Sequence, residues 1–108
     1  MNIAAHEYVM VYVVAANMDE ARSIANVLVA SRLAACVNIL GSVTSVYRWE
    51  GKIEEATEVV LVAKTQAALF DDVRGKVKDI HSYAVPCIVA YPMADGHGPY
   101  LNWIHNQT

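Results

Sequence analysis

Cysteine is scarce in this chain of 108 residues: there are two, Cys36 and Cys87, far apart and in no zinc-finger spacing. That excludes a disulfide framework and fits a reducing compartment. Lysine and arginine total 8 against 11 acidic residues, for a formal charge of −3, and they are scattered. Without a basic stripe, nucleic acid and anionic membrane surfaces are excluded as partners. No stretch approaches the roughly 18 unbroken apolar residues of a membrane span, and Met1 to Glu7 has neither the basic start nor the apolar run of a signal peptide. The expected location is therefore cytoplasmic. Enzymatic signatures are missing too: no glycine-rich phosphate loop, no His-Glu-x-x-His, no nucleophile elbow and no paired carboxylates on a cleft element. The expectation is a binding protein, not an enzyme.

What is present is apolar material, 56% of the chain, enough for one domain over residues 1–108 to bury a core without metal or disulfide staples, with residues 1–6 expected as a flexible tail. The most informative stretch is Val43 to Thr65, which reads as one long β-hairpin reversing at Glu50-Gly51. Val43, Ser45, Tyr47 and Trp49 share one face of its first arm, and Thr44, Val46, Arg48 and Glu50 the other. Each arm can hold about 8 to 11 residues, roughly 27 to 37 Å, against the five or six of an ordinary strand. Two strands alone are marginal in water, so the end carrying Tyr47 and Trp49 requires something to lie against. A second copy of the chain is the expected support.

Before the hairpin, Tyr8 to Val14 is almost continuous in β-formers and apolar on both faces. Asn17-Met18-Asp19-Glu20 makes a capping box, and Ala21, Ile24, Ala25 and Leu28 follow at helical spacing to about Ser31. Ala35 to Leu40 is extended, and Gly41-Ser42 marks a bulge or bend into the hairpin. After it, Phe70, Val73, Val77 and Ile80 form the stripe of an amphipathic helix over residues 66 to about 80, closed by His81. Cys87 to Tyr91 reads as a strand stopped by Pro92, and Tyr100, Leu101 and Ile104 place a last short helix.

The order β, α, β, β, α, β plus a terminal helix predicts an α+β, ferredoxin-like fold with both helices on one sheet face. The other face stays open although the first strand is apolar on both sides, so oligomerisation follows as a physical requirement. In the strand order 4-1-3-2, Cys36 and Cys87 sit on opposite edges, about 14 Å apart across three strand spacings, too far for a disulfide.

Several blocks then resemble a known family. Ser31-Arg32-Leu33-Ala34-Ala35-Cys36-Val37-Asn38, Thr44 through Ile53, Glu58-Val59 through Lys64-Thr65, and Pro99-Tyr100-Leu101-Asn102-Trp103 closely resemble the CutA divalent-cation tolerance family over nearly the whole chain. The resemblance implies a homotrimer related in architecture to PII signalling proteins, with open sheet faces turned inward and hairpins bracing neighbours. It also implies copper or another divalent cation as ligand, held by a histidine near the subunit interface at the position of His81, and no organic cofactor. The family's motif there commonly reads His-Pro-Tyr-Glu-x-Pro-Glu. This chain has His81-Ser82-Tyr83-Ala84-Val85-Pro86-Cys87, without either acid.

Residue chemistry leaves the site open between alternatives. His81 and Cys87 flank one short link and suit copper or zinc, the thiolate favouring Cu(I). Equally, His81 reads as a helix cap and Cys87 as a small buried hydrophobe. Tyr47, Trp49, Tyr83, Tyr100 and Trp103 read as interface and core aromatics. Alternatively, Trp49, Lys64 and Tyr83 line an intersubunit cleft for a small anion or metabolite. A metal-binding trimer is thus expected, against a PII-like small-molecule sensor or a structural trimer that presents protein partners.

Overall fold

The computed structural model describes residues 7–108, so the expected tail over residues 1–6 lies outside the described part. Strand β1 (Tyr8–Ala15) is followed by helix α1 (Met18–Ala30), the hairpin strands β2 (Cys36–Trp49) and β3 (Lys52–Gln66), helix α2 (Phe70–Ile80), strand β4 (Ile88–Pro92) and helix α3 (Gly98–Gln107). The four strands form one sheet in the order β2-β3-β1-β4, the same ladder that the element order predicts. All three pairings are antiparallel.

Period-two alternation divides the strands between two faces. Val9, Val11, Val13 and Ala15 of β1 and Val59, Leu61 and Ala63 of β3 turn to the helices, where Ala21, Ile24 and Leu28 of α1 and Val73 and Val77 of α2 complete the core. Burying each valine, leucine or isoleucine side chain stabilises the fold by about 1.5–3 kcal/mol relative to exposure. The opposite face keeps Met10, Val89 and Tyr91 exposed, with no layer over them among the described residues.

The hairpin turns through Glu50 (φ 49°) and Gly51 (φ 79°), between the paired Trp49 and Lys52. Two successive left-handed residues are what a tight two-residue turn between right-twisted strands needs, and Gly51 adopts its angle without a Cβ penalty. The arms are 14 and 15 residues long. β1 pairs with β3 only as far as Ala15 opposite Val59, so the hairpin runs on from Glu58 without a third strand. Val46 and Ile53 there are 65% and 72% exposed. Near the other end, the register slips between Ile39 and Gly41, leaving Leu40 unpaired and Gly41 at φ 103°. This is the bulge the Gly41-Ser42 pair predicts.

Four local details differ from expectation. The helix predicted from residue 66 begins as a single 3-10 turn over Ala67–Leu69 before α2 proper. Ile80, placed in the apolar stripe, is exposed because it sits in the last turn, beyond the sheet-facing Val77. Pro92 belongs to β4 instead of stopping it, which an edge strand permits, and Cys87 precedes the strand. In the capping box Asn17 does accept from the Glu20 N–H at 2.8 Å, but Glu20 reaches one residue further back than expected, to the N–H of Ala16. The last difference matters most, because it frees the other carboxylate oxygen of Glu20 for a distant loop.

Candidate functional site

The loop of residues 81–87 leaves the end of α2 and wraps around the end of β1 to reach β4. Its anchor is His81, whose side chain is fully buried. The Nε2 atom lies 2.7 Å from the carbonyl oxygen of Val14, and Nδ1 accepts from the N–H of Tyr83 at 3.0 Å. A carbonyl only accepts and an N–H only donates, so the ring is the neutral tautomer with its proton on Nε2. Glu20 adds a second anchor: its Oε2 accepts from the N–H of Ser82 at 2.8 Å, and its Oε1 stands 3.7 Å from His81 Nε2. Burial opposes ionisation of Glu20, but the bonds from Ala16 and Ser82 and the nearby His81 outweigh it, holding the carboxyl below its ordinary 4.5.

So held, the loop lays Tyr83 against the hairpin. Its hydroxyl donates to Oε2 of Glu58 at 2.8 Å. Burial, that hydrogen bond and the Glu58 charge push the phenol up to about 12. Between loop and hairpin lies a cleft of about 610 Å³, with Val14 and Glu58 at its base, Ser45, Tyr47 and Trp49 along one wall, and Ser82 to Val85 with Cys87 along the other. Burial, then the Glu58 charge, raises the Cys87 thiol above its usual range.

The predicted site residues therefore fall into two groups. Tyr47, Trp49, Tyr83 and Cys87 share the cleft, and His81 supports it from behind. Lys64 does not join them within one protomer: it lies six residues from Glu58 along β3, roughly 20 Å at strand rise. Its ammonium sits 5.5 Å from the ring centre of Tyr100, which in turn stacks on Trp103 at 5.5 Å. Among the described residues the protomer's cleft is lined by the Glu58 carboxylate and by no cationic side chain.

Metal ligation fares as follows. Among the described residues no group of three or more His, Cys, Asp or Glu side chains converges to hold an ion. Both His81 nitrogens are engaged, and ligation through Nδ1 requires the Tyr83 N–H to be displaced. Both cysteines are free thiols on different edges of the sheet.

Two residues that matter here escaped sequence reasoning. Glu20 read only as a helix cap, because nothing local reveals a bond to Ser82, 62 positions away. Glu58 carries no motif that singles it out among the acids of β3. The signal that separates it is its place two positions before the buried Val60 on the same strand face, next to the last residue of β3 that β1 pairs.

Comparison with known proteins places the chain. Residues 9–107 match the family described as CutA1 divalent ion tolerance protein. The chain belongs to the CutA family. Among its relatives, the divalent-cation tolerance protein CutA of Thermus thermophilus is 47% identical over 90 residues, 83% of this chain and 87% of that one. The Archaeoglobus fulgidus protein of the same name is 46% identical over 94 residues, 87% and 91% of the two chains. Mouse Protein CutA is 42% identical over 90% of this chain, which spans 55% of the mouse protein's length. The solved T. thermophilus structure superimposes with a TM-score of 0.92 at 42% identity, covering 94% of this chain and 98% of that one. The periplasmic A. fulgidus protein gives 0.91 at 43% identity, covering 93% and 97%. The ferredoxin-like architecture with its long hairpin is thus a CutA architecture.

Proposed function

We propose that this CutA-family chain acts as a homotrimeric binding protein in the cellular response to divalent cations, with copper as its ion, held at or near the boundaries between subunits. The observation that carries the reading is the uncovered sheet face. Met10, Val89 and Tyr91 form an apolar surface across β1 and the edge strand β4, and the hairpin extends past β1 with Val46 and Ile53 in solvent. A surface of that kind is stabilised by burial against copies of itself.

The metal part rests on the family and on the chemistry of residues 81–87. Among the described residues one protomer supplies no converged ligand set, so in this reading the ion takes donors from a neighbour. Cys87, exposed and at the mouth of the cleft, is the soft ligand this chain offers, and His81 becomes its partner if Nδ1 exchanges the Tyr83 N–H for the ion. With Ala84 and Cys87 where the family motif carries acids, the preference shifts from hard cations toward Cu(I). Competitive titration of wild type, His81→Ala and Cys87→Ser with Cu(I), Cu(II) and Zn(II), reading stoichiometry per particle, tests this. A soft-ion site lost with Cys87 supports it, and identical binding in all three proteins contradicts it. The role is binding, not catalysis, and the proposed compartment is the cytoplasm.

A further inference from the structure

We propose that Arg32 is a clamp that positions α3, and with it the stacked pair Tyr100 and Trp103, at the edge of the surface where a neighbouring copy of the chain packs. Its backbone gives the first sign. α1 ends at Ala30, after which the N–H of Arg32 donates to the carbonyl oxygen of Val29 at 3.1 Å and the N–H of Leu33 reaches back to that of Leu28 at 2.9 Å. This pair of bonds closes a helix through one residue in the left-handed region, a place that glycine fills without strain. Here Arg32 occupies it, at φ 60°. A Cβ makes that conformation unfavourable, so a side chain kept there is expected to be offset by a contact elsewhere.

The contact is with α3. Nη2 of Arg32 donates to the carbonyl oxygen of Asn106 at 2.8 Å, although the two residues are 74 positions apart. Asn106 lies in the last turn of α3, where carbonyls lack a donor within the helix and the dipole favours a cation. Other holds on α3 are few: Ile104 is its one buried residue, and no side chain caps its first turn at His97. A second polar tether sits at the same end, where Gln66 Nε2 donates to Thr108 Oγ1 and that hydroxyl donates to the carbonyl oxygen of Ile104, each at 2.8 Å. Nearer the start of the helix, Tyr100 and Trp103 are 37% and 41% exposed and stack on each other, with the Lys64 ammonium 5.5 Å from the Tyr100 ring centre. Lys64 pairs with Met10 on the open face, so the seating of α3 sets which aromatic surface that face presents to a neighbour. The step from α3 to the neighbour rests on the assembly reading above, whereas the clamp does not.

Hydrogen exchange read by mass spectrometry on the full-length protein, as wild type, Arg32→Gly and Arg32→Lys, separates a clamp from a residue that merely ends α1. Glycine relieves the left-handed backbone, so Arg32→Gly is expected to keep or raise the protection of the amides of residues 32–34. In the same protein the amides in the last turns of α3 are expected to exchange about two- to fivefold faster. Arg32→Lys, which restores a cation, recovers part of that protection. Unchanged exchange in α3 of Arg32→Gly overturns the clamp, and so does a uniform change along the whole chain. For the neighbour contact, light and isotope-labelled particles are mixed at the urea concentration where wild type exchanges subunits over hours, and Arg32→Gly is expected to exchange them about two- to fivefold faster. An equal rate overturns the positioning of the interface even where α3 has loosened. A monomeric wild type overturns the assembly reading, while exchange in α3 still decides the clamp.

Discussion

His81 donates through Nε2 to the carbonyl oxygen of Val14 at 2.7 Å, which ties the loop after α2 to the last turns of the central strand. Because Nδ1 is also engaged, with the Tyr83 N–H, one imidazole ties the loop wall of the cleft to its base. His81→Ala removes a fully buried side chain together with its part-buried hydrogen bond to Val14 and its exposed one from Tyr83. The expected loss is about 2–4 kcal/mol of stability, measured by denaturant unfolding, whether or not metal is present. A variant as stable as wild type would mean that the loop is held by something else.

Glu20 makes the matching anchor from α1. Its carboxylate accepts from two backbone N–H groups, of Ala16 and Ser82, and its folded-state value lies below the ordinary 4.5. The stabilisation is therefore complete above that ordinary value and is lost as pH falls through the folded one. Glu20→Gln, which keeps one acceptor, is expected to be less stable at neutral pH by about 1–3 kcal/mol, with the difference from wild type shrinking as acidification proceeds below the ordinary 4.5 and through the lower folded value. A difference that stays constant down to acid would remove the linkage.

Tyr83 offers a spectroscopic check on the cleft. With its phenol pushed up to about 12 by burial and by Glu58, it titrates above tyrosines of ordinary value near 10.0. Its neutral form supports the fold fully below that ordinary value, and the support is lost as pH rises through about 12. Phenolate absorbance during alkaline titration should show a late component that disappears in Tyr83→Phe and moves downward in Glu58→Gln. A late component surviving Tyr83→Phe would assign it to another ring.

Much of this molecule is legible in its residue pattern, for identifiable reasons. The hairpin is written in the alternation from Val43 to Trp49 and in Glu50-Gly51, where local conformation and burial agree. The core stripe is legible in Val73 and Val77, whose spacing admits one buried face. Bonds that close over long separations, such as Glu20 to Ser82 or Tyr83 to Glu58, leave no periodic trace. Lys64, expected with Tyr83 and Trp49 in a cleft between subunits, lies beside Tyr100 within its own protomer, a contact that no spacing in the sequence announces.

Met10 sits at the middle of the open face, opposite Lys64 on β3. A glutamate there can pair with Lys64 in an isolated protomer, so Met10→Glu preserves the fold yet places a carboxylate at the centre of the proposed interface. Sedimentation should find the variant dissociated at concentrations where wild type is assembled, with far-ultraviolet circular dichroism unchanged. An assembled Met10→Glu particle would move the interface off this face.

Assembly is the central requirement: the uncovered sheet face, the hairpin that outruns β1 and the proposed metal site between subunits all call for neighbours. Sedimentation equilibrium of the full-length protein at micromolar concentration is the direct measurement. Three chains per particle, without detectable monomer, is the predicted result; a stable single chain under the same conditions would contradict it.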